Sequence, residues 1–399
     1  MKNRTVLISG AGVAGTALAY WLRRHGFAPT VVERAPALRD GGYKVDIRGA
    51  AVEVVRRMGV LDQIRRERTD VRQGSFVNAA GRRVASMEGD DFGGRTGEDA
   101  ELLRGDLNRI LYDLTKDDVE YLFDSSIAAV ADTAGGMRVT FDSGATREFD
   151  LVVGADGLRS VTRRLVFGPE EDYVHDLGYH VSIFSVGNHL DLDREEVTYV
   201  SPGRTALMYS TAKDTGAKAM FLFASGPLEY DRRDRERQQS LLAAAYATDT
   251  WEVPRLLAAM SSAPDFYFDS VSQVRMDRWS KGRVVLLGDA GYCASPASGQ
   301  GTSLALVGAY VLAGELAAAG GDHGAAFDLY EKEMRHFVEE NQKLGPQNVK
   351  HMVLGSRGLI RFQMTMLRIM PYMPGKDRVI AKILEPIHKA ANAISLKDY

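Results

Sequence analysis

Gly10, Gly12 and Gly15 follow directly on the run Arg4-Thr-Val-Leu-Ile-Ser9, and Glu33-Arg34 ends a second apolar run, Ala28-Pro-Thr-Val-Val32. A strand, a glycine-rich turn and a helix in this order hold a pyrophosphate. Gly10 permits the tight turn, Gly12 lets the backbone approach the phosphates, and Gly15 lets the helix pack close to the strand. The helix start, with Val13 and Ala14, adds free N–H groups and the positive end of a dipole. Glu33 is placed to accept from ribose hydroxyls, and its charge disfavours a 2′-phosphate there. Two further acids end apolar runs: Asp156, before Gly157, and Asp289, after Gly282-Arg-Val-Val-Leu-Leu-Gly288. Asp156 reads equally as a cofactor ligand and as an Asp-Gly turn former. Asp289 is followed by a loop containing Pro296 and then by Gly299-Gln-Gly-Thr-Ser303, which opens an apolar helix. The first N–H groups of that helix, at Gly301, Thr302 and Ser303, can face an anion or an electron-rich carbonyl, while Asp289 can accept from a ribityl hydroxyl.

The elements that must position these groups alternate as in an α/β protein. The helix Thr16–Arg24 follows the first turn. Gly41-Gly-Tyr-Lys-Val-Asp-Ile-Arg48 reads as a turn and short strand, and Ala50–Met58 as a helix. Gln73–Val77 and Arg83–Met87 flank a hairpin turn, and a helix runs from Asp106, a candidate N-cap, to about Thr115. Between about 171 and 275 the texture becomes β-rich: Tyr179–Val186, Val197–Val200, Thr205–Ser210 and Ala219–Ala224, then a charged helix from Arg232 to about Ala247. Helices dominate after Gly299. The expected fold is a Rossmann-like domain made of 1–71, 100–170 and 276–340, a β-sheet substrate domain made of 72–99 and 171–275, and a C-terminal helical segment, 341–399. A ligand site is expected where the two domains meet.

The chain of 399 residues supports about two domains, with 45% hydrophobic and 26% charged residues, as in an ordinary globular protein. A net charge of −3 gives no reason to expect nucleic acid or an anionic membrane as partner. The run Thr5–Leu22 after Lys2-Asn-Arg4 resembles a secretory or membrane segment, but its central glycines and the second strand that follows on schedule argue against one. The single cysteine, Cys293, excludes an internal disulfide and favours the cytoplasm. No Cys/His cluster has metal-site spacing, so no metal is expected.

In their order along the chain, Gly10-x-Gly-x-x-Gly15, Asp156-Gly157, and Gly288-Asp289 with Pro296 and Gly299-Gln-Gly301 resemble the FAD-dependent class A monooxygenases. Among these the chain is similar to para-hydroxybenzoate hydroxylase and, in length and helical tail, to the tetracycline-inactivating flavin monooxygenases. The resemblance implies FAD as cofactor. Gly10, Gly12 and Gly15 would hold its pyrophosphate, with Glu33 on the ribose and Arg34 near the adenine. Arg104, in Leu-Leu-Arg-Gly-Asp-Leu, would meet the phosphate–ribityl region, Asp289 the ribityl or pyrophosphate segment, and Gly299 to Ser303 the isoalloxazine ring. Asp156-Gly157 matches the motif associated with FAD and nicotinamide, Asp46 a flavin-proximal acid, and Arg39 a nicotinamide contact. The implied reaction uses NADPH or NADH and O₂ to hydroxylate an aromatic or polycyclic molecule through a C4a-hydroperoxyflavin. The chain departs from the pattern at Tyr292, Ser303 and Gly308.

No set of side chains stands out as a general acid or base, which fits chemistry carried by the cofactor. Candidate substrate contacts lie on the strand-like runs of the insert: His180, Ser182, Arg204, Met208, Tyr209, Phe221 and Phe223. Cys293 reads as a small packed residue rather than a covalent flavin link, and the Met-rich stretch Met352–Met373 as helical core packing rather than the lining of an adaptable pocket. A monomer or homodimer is expected. The alternatives are an FAD-dependent dehydrogenase without oxygen insertion and a non-catalytic flavin sensor. A flavin halogenase is disfavoured, because Trp21, Trp251 and Trp279 are far apart.

Overall fold

Thr5–Ser9 is apolar on both faces, as a strand covered from both sides must be. In the computed structural model, which describes residues 2–38, 42–213 and 216–399, it lies inside a six-stranded sheet. The order is Ser280–Lys281, Val284–Leu286, Leu151–Gly154, Thr5–Ser9, Ala28–Val32, Glu120–Leu122. All neighbours are parallel except the edge strand Ser280–Lys281. Register decides what this sheet presents. Ser9 pairs with both Gly154 and Val32, and Gly154 with Leu286. Gly10, Ala155, Glu33 and Leu287 therefore leave the sheet at one carboxyl edge, where open α/β sheets bind ligands.

Helix Val13–Arg24 packs against helix Gly301–Ala318 beside this sheet. The latter is apolar all round and buried along most of its length, as a core helix must be. Trp21 and Tyr310 meet edge to face between them, ring centres 4.9 Å apart. The Gly308 position answers the departure at Tyr292: a Cβ there would lie 2.1 Å from the Tyr292 hydroxyl. That hydroxyl bonds Tyr330 at 2.9 Å, deep in the core. Tyr292 is a packing anchor that requires the glycine facing it.

The second layer is a seven-stranded sheet in the order Tyr267–Val274, Val174–Val186, Ala217–Ala224, Arg204–Tyr209, Glu195–Ser201, Gln73–Val77, Arg83–Glu88. The hairpin near residue 80 thus pairs with the insert strands. Successive side chains alternate between two faces. Phe184, Met208, Phe221 and Phe223 turn outward beneath helices Arg235–Ala245 and Val253–Met260. Ile183, Leu207, Tyr209 and Met220 turn toward the first domain, where they meet Tyr43.

Two local expectations need correction. Asp106 is not the cap of helix Arg104–Asp113: Leu103 holds that position, and Asp106 lies in the first turn, bonded to Arg109. The charged helix begins at Arg235, with Asp234 as its N-cap accepting from Arg237 N–H at 2.9 Å. The chain ends with helices His323–Met352, Arg357–Ile369 and Lys376–Ala391. The final residues return to the core, with the Tyr399 hydroxyl donating to Glu315 at 2.7 Å.

Candidate active site

A cleft of about 420 Å³ lies where the carboxyl edge of the parallel sheet faces the inner side of the larger one. Gly10, Gly12, Glu33, Arg34, Asp156 and Gly157 line one wall, and Ile183, Lys218, Asp265 and Tyr267 the other. The glycine turn is built as the motif demands. Gly10 has φ +107°, and a Cβ there would lie 2.6 Å from the Ala155 carbonyl. A Cβ on Gly15 would lie 1.9 Å from the Gly10 carbonyl oxygen. No side chain caps helix Val13–Arg24, so its first N–H groups remain for a ligand. Glu33 braces the turn, accepting from Ala11 N–H and Ala35 N–H at 2.9 Å each, and retains lone pairs for a ribose. Asn108, which the motifs did not flag, pins the same turn by donating to the Ala11 carbonyl at 2.9 Å.

Arg104, on the cleft wall, and Asp289 beside it are solvent-accessible although protein surrounds them. Burial pushes the Asp289 carboxyl up, and the Arg104 charge opposes this. Arg104 also stands 6.0 Å from the centre of the Tyr43 ring, which in turn approaches Tyr267 at 6.1 Å. The start of helix Gly301–Ala318 has no side-chain cap. Gln300, at that start, is fully buried, and both polar atoms of its amide lack a protein partner. A buried orphan amide costs about 1–3 kcal/mol unless something bonds it. The donors, the acid, the guanidinium and the glycine-lined openings together fit a dinucleotide with a polar ring system. They fit FAD.

Family models and relatives agree with this geometry. Residues 3–343 match a family described as an FAD binding domain. The chain belongs to the flavin-dependent monooxygenase family built on that domain. It is 51% identical to the uncharacterised protein Rv1260 of Mycobacterium tuberculosis over 87% of this chain and 94% of that one. It is 41% identical to a flavin-dependent monooxygenase of Legionella longbeachae, over 86% and 88% respectively. The crystal structure of the tetracycline destructase Tet(51) superposes with a TM-score of 0.87, at 38% identity and full coverage of both chains.

Within this monooxygenase fold the remaining sequence candidates separate. Asp156, which lines the cleft, is occupied locally: it accepts from Thr162 N–H at 2.9 Å, Thr162 Oγ1 at 3.0 Å and the Ser160 hydroxyl, so its carboxylate ties a helix start. The Ser303 hydroxyl accepts from Arg48 N–H at 3.2 Å and is buried, leaving Gly301 and Thr302 more open. Pro296 and Gly299 are exposed in the loop before the helix. Asp46 sits in a buried charge cluster, 2.9 Å from Arg48 and 3.6 Å from Arg95, and is not among the residues lining the cleft. Arg39 lies outside the described residues. Burial, followed by the Asp289 charge, pushes the Cys293 thiol up, so it stays an inert thiol.

Most of the substrate candidates face the wrong way. His180 stacks against Phe223 and Phe268, and burial pulls its imidazole pKa down. Ser182 donates to the Tyr267 carbonyl at 2.8 Å, and Arg204 pairs with Asp249 at 2.6 Å. Met208, Phe221 and Phe223 fill the helix-covered core. Only Tyr209 of that set points toward the first domain, beneath Lys44. Parity along each strand explains the error: the large aromatics mark the face under the helices.

Asp289→Ala is expected to weaken flavin binding by about 1.5–3 kcal/mol, the loss of one charge-assisted bond, with the melting temperature of the flavin-free protein unchanged. Fluorescence titration checks it. Unchanged affinity would reduce Asp289 to a turn residue.

Proposed function

We propose that the protein hydroxylates an aromatic or polycyclic small molecule, with FAD as bound cofactor, NADPH or NADH as reductant and O₂ as oxidant. The observation that supports this reading is that the Gly10–Gly12 turn, Glu33 and Arg104 line one cleft, while Asp289, whose charge Arg104 feels, stands beside the uncapped start of helix Gly301–Ala318, 3.7 Å from where a Gly301 Cβ would lie. The similarity to a tetracycline destructase supports a polycyclic substrate. Bound FAD would supply electron transfer from the nicotinamide and activation of O₂.

The chain's own groups have three tasks. The N–H groups of Gly301 and Thr302, with the Gln300 amide, would hold the polar edge of the ring system and favour negative charge there. Tyr43, Tyr267 and the inward face of the large sheet keep water from the reacting centre. On that face Ile183, Leu207, Tyr209 and Met220 are the substrate contacts, replacing the outward set. The protein works in the cytoplasm on a small molecule.

The test is stopped-flow reduction by NADPH and by NADH, with and without a panel of phenols and tetracyclines, followed by incubation under ¹⁸O₂. Reduction should be slow alone, faster with the right ligand, and one heavy oxygen should enter the product. Acceleration without label would favour the dehydrogenase instead.

A further inference from the structure

Seven of the ten exposed large hydrophobic side chains among the described residues fall between Met352 and Ile383. Helix Arg357–Ile369 has no fully buried residue. Its half-buried Ile360, Met364 and Leu367 face the protein, at helical spacing. A second stripe, Leu359, Phe362 and Ile369, faces out, with Phe362 67% exposed. Tyr372, in the turn that follows, and Ile383, on helix Lys376–Ala391, are 84% and 59% exposed. This overturns the expectation that the Met-rich stretch packs into a core.

Charge decides what covers the stripe. Residues 350–376 carry Lys350, Arg357, Arg361, Arg368 and Lys376 and no Asp or Glu, although the whole chain has a net charge of −3. Arg357, Arg361 and Arg368 recur at i, i+4 and i+11 and so form one row beside the apolar stripe. A second copy of the chain on a two-fold axis would set this cationic row against itself. An anionic surface would not. A helix of 13 residues spans about 20 Å, short of a bilayer core. Such a helix, apolar on one side and basic on the flank, lies in the lipid interface.

We propose that helices Arg357–Ile369 and Lys376–Ala391 dock the protein on an anionic membrane surface, with Phe362, Tyr372 and Ile383 at the headgroup boundary and the arginine row on lipid phosphates. The net charge, which argued against such a partner, averages out a local excess. The inference is independent of the substrate.

The test is co-sedimentation of the flavin-loaded protein with phosphatidylcholine vesicles, with and without phosphatidylglycerol. Binding is expected only with the anionic lipid, and salt should weaken it. R361Q/R368Q and F362S should each lower the bound fraction about tenfold or more while keeping flavin content and melting temperature. Phe362 and both arginines are exposed, so these variants should fold. Failure to bind either vesicle, equal binding to both, or unchanged binding by both variants overturns the proposal. So does a dimer in light scattering that F362S disperses, which would make the occupant a second copy.

Discussion

Gly15→Ala is expected to yield a colourless protein. The new methyl group would start 1.9 Å from the Gly10 carbonyl oxygen, and both partners are backbone, so no side chain can rotate away. Relief requires moving helix Val13–Arg24 off its strand, which opens the turn proposed to hold the pyrophosphate. The cost falls near the top of the overpacking range, about 3 kcal/mol, and it lands on the cofactor site. Gly135→Ala is the control, since a Cβ there meets nothing within 4 Å. Flavin absorbance after purification separates the two. A yellow Gly15→Ala protein of normal affinity would show that the turn tolerates displacement.

Glu101→Gln is expected to destabilise the protein by about 3 kcal/mol at neutral pH, because it removes the buried carboxylate that two buried cations share. Glu101 lies 2.8 Å from Arg95 and 3.5 Å from Lys44, whose ammonium also reaches Glu196 of the large sheet at 2.7 Å. This chain of charges joins strand Lys44–Ile47 and strand Ala100–Leu103 to strand Glu195–Ser201. Burial alone would raise the Glu101 carboxyl, but the Lys44 and Arg95 charges outweigh it and hold it below the usual glutamate range. A depressed carboxyl contributes stability above its unfolded value of about 4.3 and loses it as pH falls through the lower folded value. The gap in urea midpoint between wild type and variant should therefore close on acidification. A constant gap would trace the loss to packing.

Much of the cofactor side was legible because its residues are constrained by backbone. A glycine with positive φ, such as Gly10, or one closing a strand–helix contact, such as Gly15, has no substitute, so position alone announces its task. The hairpin near residue 80 announces itself by turn residues. Asp156 was ambiguous for a physical reason. A carboxylate at a strand end serves a ligand or the next helix with the same lone pairs, and here Thr162 and Ser160 take them. Gln300 and Asn108 gave no signal, since a buried amide is chosen by partners remote in the chain. The inward face of the large sheet was misread. Both faces carry apolar side chains, and alternation alone does not tell which one meets the cleft. The exposed stripe on the last helices was hidden likewise, because apolar spacing at three and four residues says nothing about what covers it.

The two-faced sheet also divides evolutionary labour. On strand Arg204–Tyr209, Leu207 and Tyr209 face Tyr43, while their neighbours Ala206 and Met208 belong to the core beneath two helices. Alternate residues on one strand thus answer to different selective pressures. Substitutions on the inward face, which is odd-numbered on strand Arg204–Tyr209 but carries Met220 on strand Ala217–Ala224, leave the helix-covered core intact. Codon libraries restricted to one parity would search specificity without eroding the scaffold.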